Sequence, residues 1–231
     1  NGDPKPERLN DVELGWRFAT PGIALNVNGY YMGYRDQLVL TGAIDDVGAP
    51  IRANSGKSFR AGIEIDAAVK ITDKLTTQPN IALSTNKNQD FFFQRDGVLV
   101  NLGNTNISYS PEVVFGNILE FTAAEGLQLR LLSKYVGEQY MGNIDSEASI
   151  LDSFFINDFN ISYELKEFFI FKSVVINGLV NNIFDKKYVS NGYFFTFDDD
   201  FSVPNQVTTV EGAGFYPQAG INFLLGATLK F

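Results

Sequence analysis

Between residues 58 and 71 the sequence alternates apolar and small or polar side chains without a break. Phe59, Ala61, Ile63, Ile65, Ala67, Val69 and Ile71 fall on one face. Ser58, Arg60, Gly62, Glu64, Asp66, Ala68 and Lys70 fall on the other. A period of two marks a β-strand with one face turned to an apolar medium. At about 3.3 Å per residue such a strand is over ~40 Å long, whereas the mean strand of a globular protein has only ~5–6 residues. The end of the sequence repeats the pattern, with Ile221, Phe223, Leu225, Ala227, Leu229 and Phe231 set against Asn222, Leu224, Gly226, Thr228 and Lys230. Long strands with one unbroken apolar face suit a membrane barrel better than a small sandwich.

The same reading along the chain predicts about nine strands, near 8–19, 22–40, 57–71, 75–86, 112–123, 126–138, 151–164, 172–185 and 217–231. In the segment 112–123 the parity is ambiguous, because Val114 and Ile118 share a face with Glu120. Short connections at 20–22, 72–74, 124–126 and 165–171 alternate with long ones at 41–56, 87–111, 139–150 and 186–216. All tight turns at one end and all long loops at the other is the pattern of an antiparallel bacterial barrel. No apolar run approaches the ~20 residues of a transmembrane helix, which does not bear on strands. An odd strand number, with no signal peptide at Asn1, leads us to expect a piece of a larger barrel.

Chemistry is restricted from the start. With no His and no Cys, imidazole bases, imidazole or thiolate metal sites and disulfides are excluded within these 231 residues. A net charge of −9, without a basic cluster, speaks against nucleic acid. The 21 Phe and 10 Tyr instead fit half-buried strands.

Four segments carry a resemblance. Pro6 to Phe18 (PERLNDVELGWRF), Asn28 to Leu38 (NGYYMGYRDQL), Leu179 to Tyr188 (LVNNIFDKKY) and Tyr216 to Phe223 (YPQAGINF), followed by Phe231, resemble, in order, the barrel strands of TonB-dependent outer-membrane receptors. The combination is most similar to receptors of the Bacteroidetes type, with Ile221 where that family often has Arg. The resemblance implies that residues 1–231 are the C-terminal part of a barrel of about 22 strands, whose plug lies in a preceding part of the receptor. It implies a Gram-negative outer membrane. No cofactor is expected, and without His these residues lack the nucleophile and base set of an outer-membrane hydrolase, so no enzymatic activity is expected of them. The resemblance also implies energy-coupled uptake of a scarce nutrient such as an iron chelate, haem, cobalamin or an oligosaccharide. The implied partners are membrane lipid, the inner-membrane energy-coupling complex (through the N-terminal part), the barrel assembly machinery and, in some members, a surface lipoprotein. A self-contained passive porin and a soluble carbohydrate-binding module are the alternatives.

Several residues carry candidate roles beside plainer ones. Arg60, Glu64, Asp66 and Lys70 would face the lumen, touching plug or substrate, or more simply pairing in a wet interior. Tyr193, Phe194, Phe195 and Phe197 in the longest loop, and Phe91, Phe92 and Phe93 in another, are candidates for ligand binding, or pack the loops on their neighbours. Asp198, Asp199 and Asp200 offer clustered oxygens without an EF-hand spacing, so a solvated loop is the simpler reading and no metal site is assigned. Phe231 resembles the terminal aromatic that the assembly machinery reads. Tyr135, Tyr163 and Tyr188 are expected in the interfacial girdle.

Overall fold

The computed structural model describes residues 5–44, 50–54 and 56–231. In chain order the strands are β1 (Arg8–Thr20), β2 (Ile23–Arg35), β3 (Leu38–Ile44), β4 (Pro50–Asn54), β5 (Lys57–Lys70) and β6 (Leu75–Gln89). There follow β7 (Phe92–Arg95), β8 (Val98–Asn101), β9 (Thr105–Asn106), β10 (Val113–Ala124), β11 (Leu127–Val136) and β12 (Gln139–Tyr140). A 3-10 turn (Glu147–Ser149) leads into β13 (Ile150–Leu151), β14 (Phe154–Phe168), β15 (Phe171–Asn181), β16 (Val189–Asp199), β17 (Thr208–Pro217) and β18 (Asn222–Lys230).

One antiparallel sheet dominates, in the order β1-β2-β5-β6-β10-β11-β14-β15-β18. These are the long strands that the alternation predicts. Each bonds to its neighbours along most of its length, the requirement for backbone inside a bilayer. The sheet does not close: β1 and β18 are its two edges.

Register shows how the faces are sorted. Directly paired residues share a face, so a single row runs Trp16–Val27–Ile65–Ile81–Phe115–Tyr135–Phe155 across seven strands. A parallel row runs Leu119–Leu131–Phe159–Val180–Phe223. The opposite face carries Arg17–Asn26–Asp66–Asn80 and Glu120–Arg130–Asn160. The ambiguity in 112–123 is resolved: Val114, Ile118 and Glu120 belong to the polar face, while Phe115, Leu119 and Phe121 point to the apolar one.

The structure corrects several boundaries. The strand expected over 22–40 ends at Arg35, because Asp36 takes a left-handed conformation (φ 56°) and Leu38 starts a separate hairpin, β3–β4. The turn expected over 165–171 shrinks to Phe169–Ile170, since β14 runs on to Phe168, with Glu167 and Phe169 at positive φ (52° and 57°). The strands expected over 172–185 and 217–231 are trimmed at their facing ends, to Asn181 and Asn222. The largest difference lies in the long connections. They are not open loops but fold into the hairpins β3–β4, β7–β8 and β16–β17 and the small ladder β12–β13.

Those hairpins form a cap over one end of the wall, and the buried apolar cluster sits there. Val39, Phe91, Phe93 and Ile144 are buried together, with Leu102 and Phe194 packed against them.

Candidate functional site

The cap brings together segments far apart in sequence. β16 meets β3 in parallel at Thr196 and Ala43. Its β17 partner clasps the β7–β8 hairpin through polar groups. Arg95 Nη2 lies 3.0 Å from Glu211 Oε1, and the Arg95 guanidinium sits 5.8 Å over the Phe93 ring. The Asp96 N–H donates to Thr209 Oγ1 (2.7 Å), and the Thr209 N–H returns a bond to Asp96 Oδ1 (2.7 Å). Gln94 Nε2 donates to Asp198 Oδ2 (3.2 Å), and the Thr209 hydroxyl donates to Asp198 Oδ1 (2.8 Å). Ser146 donates to the second oxygen of Glu211.

Below the clasp lies a polar knot. Asn88 is fully buried and donates to Thr105 Oγ1 (3.2 Å) and Asn143 Oδ1 (3.3 Å), while Asn143 Oδ1 also accepts from the Ser108 N–H (2.9 Å). Asp145 accepts both the backbone and the side-chain N–H of Asn106, at 2.8 and 3.1 Å. Buried polar groups persist when so partnered; Asn88 is partnered through its Nδ2 alone, and its Oδ1 has no hydrogen-bond partner among the described residues.

Between the hairpins opens a pocket of about 1020 Å³. Phe91, Phe92, Phe93 and Gln94 line one side, Thr196, Phe197 and Asp198 another, and Val39, Asn54 and Lys57 complete it. Of the two aromatic groups singled out in the sequence, Phe91, Phe92 and Phe93 all line this cavity, whereas from the second group only Phe197 does. Phe91 and Phe93 are buried in the cap core, whereas Phe92 is exposed. Phe194 packs on that core, facing away from Tyr193, Phe195 and Phe197, because residues on a strand alternate.

The three aspartates separate rather than cluster. Asp198 turns inward to the clasp. Asp199 Oδ1 accepts the N–H groups of Phe201 (3.2 Å) and Ser202 (3.0 Å). Bonds from Ser202, side chain first, hold its carboxyl below the usual range. Asp200 is exposed.

On the wall's polar face, Arg60, Glu64, Asp66 and Lys70 stand in one column. Arg60 donates to Ser110 Oγ (2.7 Å), Asp66 accepts from Asn26 Nδ2 (2.5 Å), and Lys70 pairs with Asp73 (2.6 Å). Tyr135 and Tyr163 stand on the apolar face. Tyr188 does not: it lies beyond β15 and stacks on Phe154 at 4.6 Å, on the polar-face side. Phe231 is exposed and meets Phe171 edge to face at 4.9 Å.

Residues 182–185, expected as the end of a strand, instead form a rim turn after β15. Asn182, buried and left-handed (φ 49°), accepts the Lys186 N–H (2.9 Å) and donates to the carbonyls of Lys186 (2.9 Å) and Ala219 (3.3 Å). Asp185 Oδ1 accepts the Ile221 N–H (2.9 Å) and Lys187 Nζ (3.0 Å). These bonds tie the start of the β16–β17 excursion to its end. The signal was the Asn-Asn-Ile-Phe-Asp string, whose Asn and Asp tolerate the left-handed conformation.

An apolar-outside, polar-inside wall with tight turns at one end and a folded cap at the other defines a segment of a bacterial outer-membrane β-barrel. The family profile "TonB dependent receptor-like, beta-barrel" matches residues 1–183, and the chain belongs to that family, which resides in the outer membrane of Gram-negative bacteria. No curated protein sequence matches it. Among solved structures it is similar to the ferric-catecholate import receptor Fiu of E. coli K12 (TM-score 0.68, 18% identity, 99% of this chain and 28% of that one). It is also similar to the ferric yersiniabactin uptake receptor FyuA of Yersinia pestis (0.64, 17%, 97% and 30%). The FrpB iron transporter of Neisseria meningitidis is a third (0.63, 18%, 98% and 32%). The chain therefore spans about a third of the length of these receptors.

Proposed function

We propose that residues 1–231 are the C-terminal part of the barrel of an energy-coupled outer-membrane receptor that takes up a scarce nutrient. The plug and the segment that engages the inner-membrane coupling complex belong to the rest of the receptor, in a barrel of about 22 strands. The observation that carries the reading is the cap. Its own apolar core and clasp hold a mixed aromatic and polar pocket, with Phe92, Phe197, Lys57 and Asp198, at the end that faces outward in this family. Preformed concave sites lined by aromatics with a few polar groups are the usual form of a small-ligand site. Arg60, Glu64, Asp66 and Lys70 would then line the lumen, and Phe231 would serve the assembly machinery. A surface lipoprotein would meet the cap from outside. Kinship with the Bacteroidetes-type receptors rests on the four sequence motifs.

The structural neighbours are named for iron-chelate and iron uptake, which makes an iron chelate one ligand class to test. A passive porin has no use for a cap packed as a second core, and the outward apolar face speaks against a soluble module.

The test is growth of a strain lacking the intact receptor on each nutrient class as limiting source: ferric chelates, haem, cobalamin and oligosaccharides. We expect loss of growth on one class, rescue by the wild-type receptor, weak rescue by the Phe92→Ser/Phe197→Ser double variant, and sensitivity of uptake to a protonophore. Unchanged growth on every class, or uptake indifferent to the protonophore, would sink the proposal.

A further inference from the structure

The β16–β17 hairpin carries a feature of which the pocket uses only one end, Phe197. Tyr193, Phe195 and Phe197 alternate along one face of β16, with centroids 6.3 and 6.4 Å apart and interplanar angles of 17° and 13°. That spacing is the two-residue repeat of a strand and too wide for rings stacked face on face, so the rings lie side by side in nearly one plane. Their partners on β17 explain the posture. Tyr193 pairs with Gly214 and Phe195 with Gly212. A Cβ on either glycine would run into the ring of its partner. Each ring leans across the neighbouring strand because nothing stands there, and one ring face is pressed to backbone while the other points outward. Tyr216, 6.0 Å from Tyr193 and tilted by 47°, extends the array to a fourth ring. Tyr193 and Phe197 are 50% and 38% exposed, so the outward faces are open. The hairpin joins the cap by edge pairing with β3 and by Phe194, on its other face, packed against the cap core, so Tyr193 and Phe195 are not what holds the cap together.

Charge narrows what such a platform can take. Neither β16 nor β17 contains a Lys or Arg, and the ladder ends at Asp199. Aromatic faces are negative at their centre and attract the positive edges of C–H bonds. Anionic chelates are therefore repelled twice, by the ring faces and by the carboxylate. A compact cation needs rings that wrap around it, whereas these are laid flat. What fits is a neutral, extended chain of repeating units, each with a flat C–H face.

We propose that Tyr216, Tyr193, Phe195 and Phe197 form a sliding platform for a neutral oligosaccharide on the outer surface of the cap. This rests on the receptor reading above and names the substrate class that the receptor gathers.

The experiment uses the purified full-length receptor and a panel of neutral linear glucan, mannan and xylan oligosaccharides, with a ferric tricatecholate as the anionic comparison, read by calorimetry. Phe195→Leu and Tyr193→Leu keep an apolar cover over the glycines but remove the π face. Phe195→Tyr keeps it. We expect at least one neutral oligosaccharide to bind, roughly tenfold weaker in each Leu variant, as loss of one stacked ring predicts, and unchanged in Phe195→Tyr. Nitration of Tyr193 should proceed in the empty receptor and be blocked by the bound glycan. The proposal is overturned if no neutral glycan binds, if only the tricatecholate or a cationic peptide binds, if the Leu variants bind as wild type, or if Tyr193 resists nitration in the empty receptor because the receptor's own chain covers it. Uptake of the tricatecholate with no glycan binding would sink the platform and leave the receptor reading standing. Glycan binding without protonophore-sensitive uptake would do the reverse.

Discussion

The wall and the cap use the same apolar residues in opposite ways. On the wall Phe223 and Leu225 stand 81% exposed, whereas in the cap Phe91 and Phe93 are 5% and 8% exposed. The difference lies in the solvent. A cap in water stabilises itself by hiding apolar area, at about 25 cal/mol per Å². A wall in lipid gains nothing by hiding it, and is held by its ladders of backbone hydrogen bonds, which have no water to compete with. Polar groups follow the same inversion. The cap buries Asn88 in a network, while the wall turns Asp66, Glu120 and Arg130 to its polar side.

The sharpest way to break this comparison is to remove a ring from the cap core. Phe93→Ala should cost the cap about 3–5 kcal/mol, the range for a buried Phe, with no effect on the wall. Limited proteolysis of the intact receptor in outer-membrane vesicles should then nick the cap hairpins, while the barrel keeps its heat-modifiable migration on gels. If the barrel melted with the cap, the two would be one cooperative unit and the contrast drawn above would fall.

Next in size is a charge on the wall. Ile63 lies on the apolar face near the middle of β5, and Ile63→Arg should cost about 2–4 kcal/mol at the bilayer midplane. The control is Phe92→Arg, since Phe92 is equally apolar but exposed on the cap. Urea unfolding in lipid vesicles should show a lowered midpoint for the first and none for the second. Equal losses would mean that the face assigned to lipid is not against lipid.

The wall was legible because its period of two continues for whole strands, and because short and long connections alternate. Nothing else folds so simply from local pattern: pairing β5 with β2 and β6 needs only nearest neighbours in sequence, once the excursions are set aside. The cap was not legible. Its strands are as short as Gln139–Tyr140 and Ile150–Leu151, and its contacts, such as Arg95 to Glu211, join residues distant in sequence. The aromatic strings at 91–93 and 193–197 marked the right places, but sequence alone could not divide core-building Phe91, Phe93 and Phe194 from outward-facing Phe92, Tyr193 and Phe197. That division depends on which hairpin covers which face. The glycine track at Gly212 and Gly214 was visible as residues, while its meaning came only with the β16–β17 register.

The smallest effect concerns the seam between wall and cap. Asp185, beyond the end of β15, has its carboxyl held below the ordinary range first by the Ile221 backbone N–H and then by Lys187. A carboxyl that is more acidic in the folded state favours folding at pH values above its unfolded value of about 3.9, and that contribution is lost as pH falls through the lowered folded value. Asp185→Asn keeps an acceptor for Ile221 but not the charge. Hydrogen exchange of the Ile221 amide, corrected for the intrinsic rate, should be slower in the wild type than in the variant near neutral pH. The difference should close in acid, once the pH has fallen through the lowered folded value. If the gap persisted at the lowest pH, the Asp185 charge would not be what pins the seam. Loss of protection in the cap at neutral pH would show that the wall's last strand and the cap's longest excursion are coupled through this one carboxylate.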